Sequence, residues 1–233
     1  YNCGSRYNYS RKKGALELII FHMYYRDQLA VTGQINDVGA PIKINIPQSY
    51  RLGVELSGGY QLSKTLRFQG NAALSRNKIV EFTEFVDDYD TDFNWLGQKE
   101  FVRKLPDLAL SPVLIAGAEL AFSPFQKGTW AEKQNLTLSL LSRYVGQQYI
   151  DNSGDASNVL EAYTFSDLRI VYQHKGQFLR QVELSLWVNN LFNAMYASNA
   201  WSYRYLYEGQ GAVDQGLYPM AGRNLMLGGK VRF

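Results

Sequence analysis

Residues 50–62 read Tyr50-Arg51-Leu52-Gly53-Val54-Glu55-Leu56-Ser57-Gly58-Gly59-Tyr60-Gln61-Leu62 and alternate without a break. Successive side chains of an extended chain point to opposite sides, so Tyr50, Leu52, Val54, Leu56, Gly58, Tyr60 and Leu62 share one face. Arg51, Gly53, Glu55, Ser57, Gly59 and Gln61 share the other. One face is greasy and bounded by tyrosines; the other is polar. Strands of soluble proteins usually run about 5–6 residues, whereas a tilted strand crossing a bilayer needs about 9–11. The length of this segment therefore points to a membrane wall.

The same two-faced pattern recurs along the chain. Leu66, Phe68, Gly70, Ala72 and Leu74 oppose Arg67, Gln69, Asn71 and Ala73. Leu136, Leu138 and Leu140 oppose Thr137 and Ser139; Val182, Leu184, Leu186 and Val188 oppose Glu183, Ser185, Trp187 and Asn189. At the end, Leu225, Leu227, Gly229, Val231 and Phe233 oppose Asn224, Met226, Gly228, Lys230 and Arg232. About nine strands are expected, at 1–11, 14–29, 48–62, 65–82, 109–125, 133–150, 161–174, 180–193 and 222–233, with ends set to within a few residues. Short turns at 11–14, 62–65, 125–133 and 175–178 alternate with long links at 30–47, 83–108, 151–160 and 194–221. Short and long ends thus lie on opposite rims, as in outer-membrane barrels with short periplasmic turns and long extracellular loops.

Composition agrees. Tyr 17, Phe 12, Trp 4 and Gly 20 against Pro 6 describe a β-rich chain, since aromatic side chains suit a pleated surface. The length of 233 residues admits one large domain or two small ones. A formal charge of +3 is spread thinly, with no basic block longer than Arg11-Lys12-Lys13, so nucleic acid is not an expected partner. The single cysteine, Cys3, excludes an intrachain disulfide and a cysteine zinc cluster. No run of about 18 apolar residues exists, which excludes a transmembrane helix and says nothing against a barrel. The chain opens at Tyr1 without a basic n-region or an apolar h-region, so any export signal is expected to have been removed or to lie in sequence outside this chain.

In hydrocarbon an open sheet edge leaves backbone groups unsatisfied at several kcal/mol each, so a membrane sheet must close. Single-chain bacterial barrels close with an even number of strands. The expected fold class is accordingly all-β, an antiparallel transmembrane β-barrel of which this chain is a part.

Three stretches carry a resemblance to a family. Phe21-His22-Met23-Tyr24-Tyr25-Arg26-Asp27-Gln28-Leu29, then Asn45, then Tyr50-Arg51-Leu52-Gly53-Val54-Glu55-Leu56 resemble a strand, loop and "G-[VA]-E" strand of the TonB-dependent outer-membrane receptors. Val188-Asn189-Asn190-Leu191-Phe192-Asn193-Ala194-Met195-Tyr196 is similar to the family's "N-L-F-N-x-x-Y" penultimate strand. Pro219 with Gly222-Arg223-Asn224 and a final strand to Phe233 resembles its "P-x-x-G-R" ending. The opening, Tyr1-Asn2-Cys3-Gly4-Ser5, departs from the pattern by lacking an acidic residue.

The resemblance implies that residues 1–233 are the C-terminal portion of a barrel of about twenty-two strands with a plugged lumen. The plug domain and the TonB-contacting box are absent from this chain, which alone should not transport. It implies high-affinity uptake of a scarce solute across the bacterial outer membrane, with a ferric siderophore or similar iron complex as the leading class. Glycan- and cobalamin-importing receptors of the family, and a passive porin-type barrel, are the alternatives. Expected partners are outer-membrane lipids, the TonB complex through the plug region, and a small solute; no cofactor is implied.

Candidate ligand contacts lie in the link 194–221. Trp201, Tyr203, Arg204, Tyr205 and Tyr207 combine aromatics that stack on planar ligands with a guanidinium that pairs with anions. Tyr196 belongs to the same link. An interfacial aromatic girdle accounts for such residues without a ligand, and Tyr203, Tyr205 and Tyr207 at alternate positions fit a strand extending above the membrane. The link 83–108, with Glu84, Asp87, Asp88, Asp90, Asp92 and Glu100, is expected to be a solvated acidic loop, because it lacks the spacing of a calcium-binding loop. His22 and His174 have no second ligand at metal spacing, and strand and rim positions account for both. Arg51, Glu55, Arg67, Lys230 and Arg232 are expected on the wet lumen face. No catalytic motif or acid–base pair is present, which disfavours an enzyme of the barrel type, and the repeated outward Leu and Val rows argue against a soluble β-protein with a binding role.

Overall fold

The structure, a computed structural model, describes residues 2–125, 133–176 and 180–233. Its strands in chain order are β1 (Asn2–Arg11), β2 (Gly14–Ile35), β3 (Pro41–Gln61), β4 (Leu66–Ile79), β5 (Glu81–Tyr89), β6 (Trp95–Lys104), β7 (Leu114–Phe122) and β8 (Gln134–Val145). They continue with β9 (Gln148–Tyr149), β10 (Val159–Leu160), β11 (Tyr163–His174), β12 (Gln181–Asn189), β13 (Ala197–Tyr207), β14 (Gln210–Pro219) and β15 (Asn224–Arg232).

Nine of them form one antiparallel sheet in the order β1-β2-β3-β4-β7-β8-β11-β12-β15. Each wall strand lies beside the next wall strand in sequence, which is how a chain meanders around a barrel. The expected nine strands are these. Among the described residues β1 and β15 remain the two edges of the wall.

Registration converts the alternation of single strands into belts around the wall. Tyr60 faces Phe68, Phe68 faces Leu120, Leu120 faces Leu140, Leu140 faces Leu168, Leu168 faces Val188 and Val188 faces Leu225. A second belt joins Phe122, Leu138, Ile170, Leu186 and Leu227. Leu74, Leu184 and Leu227 are exposed, the last by 85 %. No buried hydrophobic cluster of the described residues includes a belt residue; the two such clusters lie elsewhere. Burying one Leu or Phe side chain is worth about 1.5–3 kcal/mol, so a wall whose belts stay half-buried to exposed suits lipid better than water.

The opposite face is polar. Asn71 lies between Ser57 and Gly117, and Gly117 faces Arg143. Gln69 donates to Glu119 across β4 and β7, Gln173 donates to Glu183 at 2.8 Å, and the Arg169 guanidinium lies 4.8 Å from the Trp187 ring centre. Trp187 is thus accommodated on the polar side by a cation over its ring.

The connections depart from expectation at the long ends. The link foreseen at 30–47 is mostly strand, because β2 and β3 run on and leave only 36–40 between them. Asp27, with φ of 52°, stands opposite Pro47, and pairing resumes at Gln28 and Ile46. Two residues that signal a strand end therefore share one irregularity, and the ladder continues beyond it. The strands foreseen at 65–82 and 109–125 are shorter, and the link 83–108 is not a loop: it holds the β5–β6 hairpin. The link 194–221 holds the β13–β14 hairpin. At the short rim, Arg11 pairs Gly14 around Lys12-Lys13, and Ser63 closes its turn on Leu66. The turns foreseen at 125–133 and 175–178 fall outside the described residues at 126–132 and 177–178.

The two hairpins join in a second sheet of order β14-β13-β5-β6, with β13 and β5 parallel through Tyr205–Asp87, Leu206–Asp88 and Tyr207–Tyr89. The apolar cores lie where wall strands and links meet this crown. One cluster holds Ala30, Ile46, Ile79 and Leu108, with Ile44 and Phe82 packed on it; the other holds Ile150, Leu160 and Ala200, with Leu110 and Ala197. Ile79 shares the polar face of β4 with Asn71 by period two, so the crown sits on the inner side of the wall.

Candidate functional site

Period two divides the predicted residues of β13 between the faces of the crown sheet. Trp201, Tyr203, Tyr205 and Tyr207 lie on one face, and Arg204 lies on the other with the buried Ser202. Parallel pairing sets Tyr205 beside Asp87, so the aromatic face continues across β5 and β6.

On that face the rings touch. Tyr203 and Tyr205 stack at 5.6 Å, Tyr89 meets Tyr205 edge-on at 6.1 Å, and Phe93 stacks on Tyr207 at 4.6 Å. Tyr203 Oη donates to Asp87 Oδ2 at 2.7 Å and lies 3.0 Å from Tyr89 Oη. Trp95 Nε1 and Gln98 Nε2 each donate to Asp87 Oδ1 at 3.0 Å. Burial pushes the Asp87 carboxyl up, but the three donors outweigh it and hold it below the usual carboxylate range. Burial first, and then the hydrogen bonds to Tyr89 and Asp87, push the Tyr203 phenol up. Trp201 lies over Gly216, where an added Cβ would run into the indole Nε1. Glycine is required there by close approach.

On the reverse face Arg204 is enclosed, with its side chain 12 % exposed. Its Nε lies 3.2 Å from Glu84 Oε1, its Nη1 2.9 Å from Asp155 Oδ2 and its Nη2 3.6 Å from Asp151 Oδ2. Nη2 also donates to Ser153 Oγ at 3.0 Å. The segment around it is knitted by buried amides. Asn158 Nδ2 donates to Asp151 Oδ2 at 2.6 Å and to Ser202 Oγ at 3.1 Å, and Asn152 Nδ2 donates to Val31 O at 2.8 Å. Hydrogen bonds from Ser157, backbone first and then side chain, together with Arg204, lower Asp155 to about 2 against the effect of burial. Arg204 thus ties β13 to β5 and to the 151–158 segment, while the four aromatics it was grouped with are turned the other way.

Below the crown, the polar face of the wall holds a recess of about 820 Å³ lined by Gln69, Asn71, Glu119, Arg143, Phe165 and Tyr196, among others. Tyr196 stacks on Tyr163 at 4.5 Å and on Phe165 at 5.3 Å, and Arg143 lies 5.9 Å from the Phe165 ring centre. Tyr163 and Phe165 were not singled out in the sequence; their signal is two aromatics at alternate positions beginning a wall strand. Tyr196, Ser198 and Met220, from both arms of the β13–β14 hairpin, also line the recess, which places the hairpin base against the polar face.

The remaining candidates are accounted for locally. Asp87 and Asp88 are strand residues, and Asp90 turns the β5–β6 hairpin by accepting from the backbone of Asp92 and Asn94. Among the described residues no group of three or more His, Cys, Asp or Glu is arranged to hold a metal ion. His22 is exposed on the apolar side, 6.3 Å from the Tyr50 ring. His174 pairs with Gln134 and Val182 at the short rim.

Residues 1–191 match the family described as "TonB dependent receptor-like, beta-barrel". No curated protein sequence matches the chain. Among solved structures it is similar to the ferric yersiniabactin uptake receptor FyuA from Yersinia pestis, at 16% identity and a TM-score of 0.57 over 100% of this chain and 29% of that one. It is similar to BauA, the ferric preacinetobactin receptor from Acinetobacter baumannii, at 16% identity and a TM-score of 0.64 over 99% and 29%. It is also similar to the FrpB iron transporter from Neisseria meningitidis, at 20% identity and a TM-score of 0.56 over 98% and 30%. The chain thus spans about three-tenths of the length of these structures.

Proposed function

We infer that this chain, which belongs to the TonB-dependent receptor β-barrel family, is the C-terminal portion of the barrel of an outer-membrane importer. The parent takes up a scarce solute, an iron complex of the siderophore type, at the expense of energy delivered by the TonB complex through an amino-terminal plug region. The observation that carries this reading is the arrangement of three layers. Outward apolar belts suit outer-membrane lipid, a folded crown bearing an aromatic face stands at the long-loop rim, and a recess on the polar face lies beneath it.

The chemistry of each layer suits one step. Trp201, Tyr203, Tyr205 and Tyr207 offer ring faces to a planar chelate at the mouth. Tyr163, Phe165 and Tyr196 offer a second set of faces in the recess, beside the amides of Gln69 and Asn71. Passage from one to the other then requires a rearrangement of the plug, which supplies the directionality that a passive pore lacks. The iron-bound substrates named for FyuA and BauA belong to those proteins, and their likeness here is one of fold.

Uptake of radiolabelled ferric chelates by iron-starved cells carrying the full-length parent tests the reading. Uptake that saturates and stops when TonB is deleted supports it. Uptake that is unsaturable and indifferent to TonB identifies a passive barrel instead.

A further inference from the structure

The crown has a sign. Its segments 81–104, 148–160 and 197–219 hold eleven acidic side chains and four basic ones, an excess of seven negative charges in a chain of net charge +3. The faces of the crown sheet divide these charges unequally. Lys99, Arg103 and Arg204 lie on the reverse face and are committed there, Lys99 to Asp88 at 2.8 Å, Arg103 to Glu84 at 2.8 Å and Arg204 to Glu84, Asp151 and Asp155. The fourth cation, Lys104, stands opposite Glu81 at the foot of the hairpin. The aromatic face is left with carboxylates: Asp87 beneath Tyr203, Asp214 opposite Tyr203 on β14, and Glu100 opposite Phe85 on β6.

Such a face attracts cations twice over. Ring faces carry negative quadrupole potential, and a cation over Tyr or Trp gains about 0.5–2 kcal/mol, more as water leaves. Carboxylates among the rings add a long-range field that raises the local concentration of positive solutes. Asp87, held ionised by its three donors, keeps that charge in place.

We propose that the aromatic face formed by Trp201, Tyr203, Tyr205, Tyr207, Tyr89 and Trp95 captures a cationic solute, an iron chelate bearing a free ammonium group, and discriminates against anionic chelates. This rests on the import reading and narrows it, since the guanidinium that β13 carries, Arg204, is turned away from the aromatic face and neutralised.

The test uses the full-length parent in detergent and three probes: a ferric trihydroxamate with a free ammonium, its N-acetylated neutral counterpart, and an anionic ferric tricatecholate. Quenching of intrinsic tryptophan fluorescence reads binding, because Trp95 and Trp201 are on the face. The ammonium form should bind roughly two- to thirty-fold more tightly than its acetylated counterpart, and the tricatecholate should bind weakest. Raising salt from about 50 mM to about 500 mM should weaken the ammonium form alone, and Asp214→Asn, which leaves the Asp87 hydrogen bonds intact, should narrow the preference. Equal binding of the two trihydroxamates, or tightest binding of the tricatecholate, overturns the charge assignment and leaves iron import standing. Binding of none of the three, with the protein shown folded by its β-sheet circular dichroism, overturns both.

Discussion

The phenol of Tyr203 donates a 2.7 Å hydrogen bond to the carboxylate of Asp87, joining two hairpins whose bonded residues are 116 positions apart. The bond is what fastens the β13–β14 hairpin to the β5–β6 hairpin on the aromatic face. Tyr203→Phe keeps the ring stack on Tyr205 and removes that bond and the contact with Tyr89 Oη. A bond to a charged acceptor is worth about 1.5–3 kcal/mol. Amide exchange in β5 and β13 should accelerate by about tenfold or more while wall strands such as β8 and β11 stay protected.

Arg204 is the corresponding rivet on the other face. Replacing it with Met leaves Glu84, Asp151 and Asp155 gathered without their cation. Removing one partner of a buried charge cluster costs about 3–5 kcal/mol, and the low end applies because Asp155 is 37 % exposed. Limited proteolysis should cut R204M within 81–104 and 151–158 at concentrations of protease that leave the original protein intact. Arg204→Lys should restore part of the resistance, since a lysine reaches one carboxylate at a time.

Both rivets make the crown sensitive to acid. Asp155 and Asp87 are held below the usual carboxylate range in the folded crown. A carboxyl with a lowered folded value stabilises the fold fully above its unfolded value, near 3.9, and loses that contribution as pH falls toward the folded value. The crown should therefore loosen between about pH 4 and pH 2, read by the emission of Trp95, whereas neutral to mildly alkaline conditions should leave it unchanged.

Much of the wall was legible in the sequence for a simple reason: each wall strand repeats polar and apolar residues at period two over a length sufficient to cross a membrane. The crown was less so. β5 carries Asp87-Asp88 where a strand read by hydrophobicity should have an apolar residue, and its parallel neighbour β13 lies more than a hundred residues away. Neither fact leaves a local pattern. Arg204 shows the limit most clearly. Its partners come from positions 84, 151 and 155, so its neutralisation could not be read from β13 alone, although period two already sets it opposite Tyr203 and Tyr205.

Gly216 offers a test of the aromatic face that touches no charge. Gly216→Ala places a Cβ where the Trp201 indole lies, and relief requires the ring to rotate off β14. Overpacking of this kind costs about 1–3 kcal/mol. A red shift of tryptophan emission is expected, together with weaker binding of any chelate that stacks on this face.

The two-faced wall beneath an aqueous crown is tested directly by cysteine accessibility. Single cysteines placed at positions 138, 140, 143 and 95, in a full-length parent freed of its other cysteines, including the exposed Cys3, can be challenged with a charged maleimide in outer-membrane vesicles. Cysteines replacing Leu138 and Leu140 should stay unlabelled, one replacing Arg143, exposed on the polar face, should label through the lumen, and one replacing Trp95 should label fast. Equal labelling at 138, 140 and 143 would contradict a lipid-facing belt and with it the barrel on which the transport reading depends.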